Sequence, residues 1–164
     1  MSIVVKAYDS KNIREAITIW NEVVREGIAF PQEVELNEIS SDEFFKSQSF
    51  TGLAVDEDTQ EILALYILHP NNVGRCAHIS NASYAVRSDV RGRHIGEFIV
   101  KDCIAHAKSL GFRILQFNAV VATNIHARHL YQRLGFKELG IIPGGFRMPD
   151  GSFADIVPQF ISLT

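Results

Sequence analysis

The chain is poor in the features that mark specialised classes of protein. Only two cysteines, Cys76 and Cys103, occur among 164 residues, and they are not spaced as C-x-x-C. That argues against a disulfide framework or a zinc knuckle and fits two reduced thiols. There is no basic excess: sixteen Lys and Arg stand against nineteen Asp and Glu, a formal charge of −3, so a nucleic-acid partner is not expected. The longest apolar run, Ile62 to Leu68, is far too short to cross a bilayer, and no membrane partner is expected. Met1 to Tyr8 has no basic segment followed by an apolar stretch, so no signal peptide is read there and the expected compartment is the cytoplasm. Internal repeats, low-complexity tracts and linker-like stretches are also missing.

What is present is globular. The hydrophobic fraction is 46% and the charged fraction 21%, near the averages of folded domains. This length buries a core without metal or disulfide staples, and residues 1–164 are expected to form a single domain. Ile3 to Ala7 reads as a strand. Asp9 or Ser10 caps a helix to about Glu26, whose apolar positions Ile13, Ala16, Ile17, Trp20, Val23 and Val24 repeat at helical spacing. A shorter helix capped by Ser40 or Ser41 follows. Gly52 to Asp56 and Glu61 to His69 form a hairpin, and Cys76 to Arg87 a long strand. After a loop at Ser88 to Arg93, a helix runs from about His94 to Leu110 with the row Ile95, Ile99, Cys103 and Ala107. Phe112 to Ala119 is a strand. A helix from Asn124 to Leu134 ends at Gly135, and strands at Phe136 to Ile142 and Phe153 to Ile161 close an α/β domain on a mixed sheet.

The first segment that points to chemistry is Arg91-Gly92-Arg93-His94-Ile95-Gly96. It lies between a strand and a helix start, where backbone N–H groups lack partners and the helix dipole is positive. Such a turn suits a pyrophosphate. No Gly-Lys-Ser/Thr follows, so it is not a nucleotide-triphosphate loop, and the three glycines of a dinucleotide fingerprint are absent. The second segment is Asn124, Ala127, Leu130-Tyr131 and Leu134-Gly135-Phe136, about 35 residues downstream on its own helix. His126 and His129 lie three apart but no third ligand follows, so no metal is expected. They read instead as a basic face with Arg128 and Arg133.

Together these segments resemble the GCN5-related N-acetyltransferase (GNAT) family. Its pyrophosphate loop reads Q/R-x-x-G-x-G/A. Arg91 and Gly96 match the first and last positions, and His94 stands where the family has glycine. In an ordinary helical N-terminal geometry His94 would still present its N–H. The resemblance implies a mixed, mostly antiparallel sheet with splayed central strands flanked by helices. It implies acetyl-CoA as co-substrate, with Tyr84, Ala85 and Val86 pairing their backbone with the pantetheine arm. Arg91, Gly92, Arg93, His94, Ile95 and Gly96 would cradle the pyrophosphate. Asn124, Ala127 and Arg128, with Asn118, would complete the coenzyme site. Tyr131 would protonate the leaving thiolate, since a tyrosine near 10 can donate to a thiol near 8.5.

A narrower resemblance, to the azetidine-2-carboxylate (proline-analogue) N-acetyltransferases, rests on PNNVGRCAHISNA at Pro70 to Ala82 and on Phe117-Asn118 and Thr123-Asn124. It places Asn81 and Asn118 in the substrate pocket, Asn81 also near the reacting atoms. The loop Gly140 to Asp150 would flank the cleft, Arg147 would meet a substrate carboxylate, and Trp20 and Phe30 would line the acceptor side. Glu22, Glu26, Glu33 and His78 are general-base candidates by type alone, with none preferred. The implied reaction is direct attack by a small-molecule amine in a ternary complex, because no cysteine sits where a covalent intermediate needs one. Acetylation of a protein N-terminus or lysine, and a non-catalytic acyl-CoA-binding module, remain open alternatives. So does a homodimer, since members of the family often pair.

Overall fold

The computed structural model describes residues 1–164. β1 is Ile3–Ala7. Asp9 caps a single turn at Ser10–Asn12 by accepting from the Lys11 N–H, and that turn leads into α1, Ile13–Glu26. Ala16, Ile19, Trp20, Val23 and Val24 are buried on one stripe of α1, as its periodicity requires. Gly27 ends the helix in the left-handed region at φ 67, its N–H bonded to the Val23 carbonyl. α2, Glu38–Lys46, is capped by Asn37, whose side chain accepts from the N–H groups of Ile39 and Ser40. Ser40 and Ser41, the expected caps, lie inside the helix. Ser41 is buried and turns its hydroxyl back to the Asn37 carbonyl.

β2 (Phe50–Asp56), β3 (Ile62–Pro70) and β4 (Ile79–Val86) form an antiparallel meander. The strand expected from Cys76 begins later, because Gly74–Cys76 forms a tight turn. α3 (Ile95–Ser109), β5 (Ile114–Phe117) and α4 (Ile125–Arg133) follow. Of the two closing strands expected, Phe136 to Ile142 keeps only a short piece, Phe153 to Ile161 is broken in two, and the expected loop Gly140 to Asp150 contains a strand of its own. β6 (Lys137–Glu138) and β7 (Ile142–Arg147) are separated at Gly140, and β8 (Phe153–Ile156) and β9 (Gln159–Ser162) at Pro158. Proline has no N–H for the ladder, and the chain changes sheets there. β9 joins the main sheet, in the order β1-β2-β3-β4-β5-β9-β6, while β7 and β8 pair as a separate hairpin.

Both faces of the main sheet are covered. Leu65 and Ile67 of β3 pack with α1, Phe30 and Phe45, whereas Ala64, Tyr66 and Leu68 pack with Ile95, Ile99, Cys103 and Ala107 of α3. This is why β3 reads as an unbroken apolar run rather than an alternating one. β4 and β5 run parallel but pair only at Ile79–Ile114 and Ser80–Leu115. Beyond those residues they part, and the site lies in that gap.

Candidate active site

The gap exposes alternate backbone groups of β4. Arg87 N–H bonds to the Leu63 carbonyl and Asn71 N–H to the Ile79 carbonyl, in the register that pairs Ala64 with Val86. In an antiparallel ladder every second residue exchanges these bonds, so odd-numbered β4 residues serve β3. Ala82, Tyr84 and Val86 turn their N–H and carbonyl groups into the gap. The Val86 carbonyl there accepts from Arg91 Nε at 3.3 Å, and Ala82 N–H is taken by the side-chain oxygen of Asn81 at 2.8 Å. Ala85, expected beside the coenzyme arm, points its backbone at Leu65 and its side chain into the α1 core. It does not line the cleft.

The cleft has a volume of about 1130 Å³, a little above the usual span of small-ligand sites, and its two ends differ. At the Val86 end lies the N-terminus of α3, with no side-chain cap. The N–H groups of its first turn therefore have no helical partner. Gly96 turns open space toward the cleft: a Cβ there would meet only the Val86 side chain, at 3.9 Å. His94 adopts φ 61 and ψ 17, not the ordinary helical geometry. It occupies the left-handed region that glycine enters without penalty, which is the physical reason for a glycine at this place in the loop pattern. The imidazole is exposed and 3.9 Å from Glu97. Arg91 is held by Glu26 of α1 at 2.6 Å, and Glu97 also meets Arg133 at 3.7 Å. This end thus combines unpaired backbone donors with clustered charge, a setting for an anionic ligand.

Midway along, α4 contributes Asn124 and Tyr131. Asn124 caps the helix with its side-chain oxygen on Ala127 N–H at 3.3 Å, which leaves its NH₂ group free. Tyr131 packs against Phe117 at 4.6 Å and Phe136 at 5.5 Å, with Tyr84 at 6.5 Å. Its hydroxyl bonds to no protein group and borders the cleft. Burial pushes its ionisation well above the ordinary tyrosine range, so it keeps its proton. Behind it the Tyr84 hydroxyl is buried without a hydrogen-bond partner, beside the Cys103 thiol, which burial pushes up to about 12.

At the Asn81 end the lining is neutral: Asn81 and Ser83 of β4, Phe30 and Pro31 after α1, Val121 and Thr123 after β5, and Met148 after β7. Asn81 spends its oxygen on Ala82 N–H and keeps its NH₂. Asn118 is committed at both ends, donating to Asn71 at 2.7 Å and accepting from Gln116 at 3.1 Å. It braces the β3–β4 connection to β5. Next in the chain to the lining residues Pro31 and Met148, Glu33 pairs with Arg147, and Pro149 packs against Gly27 so closely that a Cβ there would meet it at 2.8 Å.

Residues 17–136 match the acetyltransferase (GNAT) family. The N-acetyltransferase aca1 of Schizosaccharomyces pombe is 29% identical over 143 residues, covering 78% of this chain and 68% of that protein. A GCN5-related N-acetyltransferase from Kribbella flavida is 30% identical, with a TM-score of 0.88 over 98% of this chain and 97% of that one. A phosphinothricin acetyltransferase of Sinorhizobium meliloti, solved in complex with AcCoA, shares the fold at 17% identity, with a TM-score of 0.90 over 99% of this chain and 89% of that one. The chain belongs to the acetyltransferase (GNAT) family. It is an acetyl-CoA-dependent N-acetyltransferase.

Several residues expected at the site of this acetyltransferase lie elsewhere. Trp20 is a core residue, packed on Phe30 at 4.4 Å and away from the cleft. Arg128 turns outward to a bidentate pair with Glu138, at 2.9 and 3.0 Å. Arg93 is exposed off the cleft, and Arg147 is neutralised by Glu33. Of the candidate bases only Glu26 lines the cleft, and it is held by Arg91. Glu22 accepts from Ser88 N–H at 3.2 Å, and His78 is exposed at the start of β4. Sequence reasoning missed Ser83 and Glu97, and it named Phe117 only within a motif and Met148 only within the flanking segment Gly140 to Asp150. Asn81, two residues before Ser83 on one strand face, was a usable signal for that residue alone.

Proposed function

We propose that the protein moves the acetyl group of acetyl-CoA to the amine of a small molecule by direct attack in a ternary complex. The observation that carries this reading is the Tyr131 hydroxyl, free and proton-bearing, set between an anion-ready helix end and a neutral pocket. Residues 91–96 would hold the pyrophosphate, Arg91 exchanging its Glu26 contact for phosphate. The gap-facing backbone of Tyr84 and Val86 and the free amide of Asn124 would hold the pantetheine arm. Acetyl-CoA supplies an acyl group on a good leaving thiol. Tyr131 would protonate the departing sulfur.

Small acceptors are favoured over protein ones by a strap beside the pocket. Glu33 and Arg147, 114 residues apart, join the chain after α1 to the β7–β8 hairpin next to the lining residues Pro31 and Met148. A folded protein's lysine would have to part that strap. Among small amines a cyclic imino acid is the specific candidate, with the Asn81 amide as donor to it. Thiol release on mixing acetyl-CoA with cyclic imino acids, methionine derivatives, phosphinothricin and short peptides tests the reading. One or more small amines should raise release above background hydrolysis, with one acetylated product per thiol. Release with peptides alone would move the function to protein acetylation, and release with none would refute it.

A further inference from the structure

We infer that the Tyr84 hydroxyl is a positioning group for Tyr131, without a partner at rest and engaged only when Tyr131 gives its proton to the departing sulfur. This rests on the acetyl transfer proposed above and adds to it the side chain of a residue that otherwise serves through its backbone.

Three buried side-chain atoms lack a hydrogen-bond partner: Trp20 Nε1, the Tyr84 hydroxyl and Gln159 Oε1. Of these residues only Tyr84 lines the cleft. Such an orphan costs stability, and one in a native fold calls for a reason. The surroundings of Tyr84 narrow the choice. The Tyr66 ring, directly across the ladder, lies 6.0 Å away, but its hydroxyl is committed to Asp102 at 2.7 Å, and Asp102 also meets His106 at 3.0 Å. Phe117 stands edge-on at 5.7 Å and has no polar side-chain atom. Cys103 is fully buried alongside, and its thiol makes no hydrogen bond to Tyr84. The remaining neighbour is Tyr131, its ring centroid 6.5 Å from that of Tyr84 and both rings packed on Phe117. Of the four tyrosines, Tyr8 and Tyr66 donate to carboxylates. Tyr84 and Tyr131 are the two left free, one sealed in the core and one bordering the cleft.

The chemistry gives this pair a task. Burial holds Tyr84, Cys103 and Tyr131 in their protonated forms. That keeps a proton on Tyr131 but makes it a reluctant acid, because its anion would sit among apolar rings. In the transfer the amine lone pair forms the C–N bond. The C–S bond breaks with its electron pair on sulfur, and the Tyr131 O–H proton passes to that sulfur. Charge gathers on the Tyr131 oxygen until the proton shed by the acylated nitrogen restores it. The Tyr84 O–H, turned to that oxygen directly or through one water, donates to it without giving up its own proton. A donor that is idle in the ground state and paired in the transition state lowers the barrier and leaves substrate affinity alone.

The test is a double-mutant cycle on kcat, with Tyr84→Phe, Tyr131→Phe and the double variant, using an amine that releases thiol. Tyr84→Phe should lower kcat about tenfold and leave the KM for acetyl-CoA unchanged. It should not lower the Tm, because the orphan goes while the ring stays. In the Tyr131→Phe background the same change should have no further effect on kcat, an outcome that a merely structural role would not give. An unchanged kcat in Tyr84→Phe overturns the inference. So does an equal loss in both backgrounds, since Tyr84 then acts independently of Tyr131. A lowered Tm overturns it too, because the hydroxyl would then have a partner at rest. Absence of thiol release by the unaltered protein with every amine would instead remove the acetyl transfer beneath it.

Discussion

The two ends of the cleft, roughly 17 Å apart along β4, are built from opposite materials. At the Val86 end Arg91, Glu26, Glu97, Arg133 and His94 crowd around the uncapped start of α3. At the Asn81 end amides, a serine and apolar side chains line the wall, and beside them Glu33 and Arg147 cancel each other. The difference teaches which substrate is read by charge and which by shape. A coenzyme brings fixed phosphates that reward unpaired donors and arginine. The acceptor end offers amides, hydroxyls and apolar surface, which select by shape and hydrogen bonding. Tyr131 stands where the two materials meet.

Removing that junction should have the largest effect. Tyr131→Phe keeps the packing on Phe117 and Phe136 but loses the donor, so kcat should fall about 10²-fold while the KM for acetyl-CoA barely moves. Steady-state kinetics with both substrates varied would check it, and an unchanged kcat would take Tyr131 out of its role. Next is the charged end. Arg91→Ala removes a contact to charged phosphate and leaves Glu26 facing it, so the KM for acetyl-CoA should rise about tenfold or more. Glu26→Gln should shift it the other way by releasing Arg91. Calorimetric titration of acetyl-CoA reads both directly.

The strap should matter less. Arg147 and Glu33 are both exposed, and such pairs contribute at most about 1 kcal/mol. Arg147→Ala should therefore raise the acceptor KM by about fivefold or less and leave that of acetyl-CoA alone. The smallest effect is expected at His94. His94→Gly removes the left-handed strain of a side-chain-bearing residue, about 1 kcal/mol, and should raise the Tm by about 2–4 °C without weakening coenzyme binding. Differential scanning calorimetry measures it, and a lower Tm would show that the imidazole contact with Glu97 outweighs the strain.

These expectations also show what the sequence makes legible. Ile3–Ala7 and the apolar stripe of α1 were readable because periodicity is local. So were the loop at Arg91 and the pair Asn124 and Tyr131, because each is a short pattern next to a helix end. Asn37 escaped notice as a cap because three polar residues compete for the role within five positions. The idle role of Ala85 could not be read, since which β4 residues face the gap depends on register with β3. The two pairs that define the ends, Glu26 with Arg91 and Glu33 with Arg147, join residues 65 and 114 apart, and nothing local announces them. At His94 the residue type signalled a departure, but only the backbone shows that it sits in the strained left-handed region.

The central claim is that the cleft divides its work between a charged donor end and a neutral acceptor end. Two-substrate initial rates for Arg91→Ala, Asn81→Ala and the double variant test it most directly. The account predicts that Arg91→Ala raises only the KM for acetyl-CoA and Asn81→Ala only that for the amine. The double variant should show both changes, additive to within about 0.5 kcal/mol. If Asn81→Ala weakens acetyl-CoA and leaves the amine unaffected, the division is wrong.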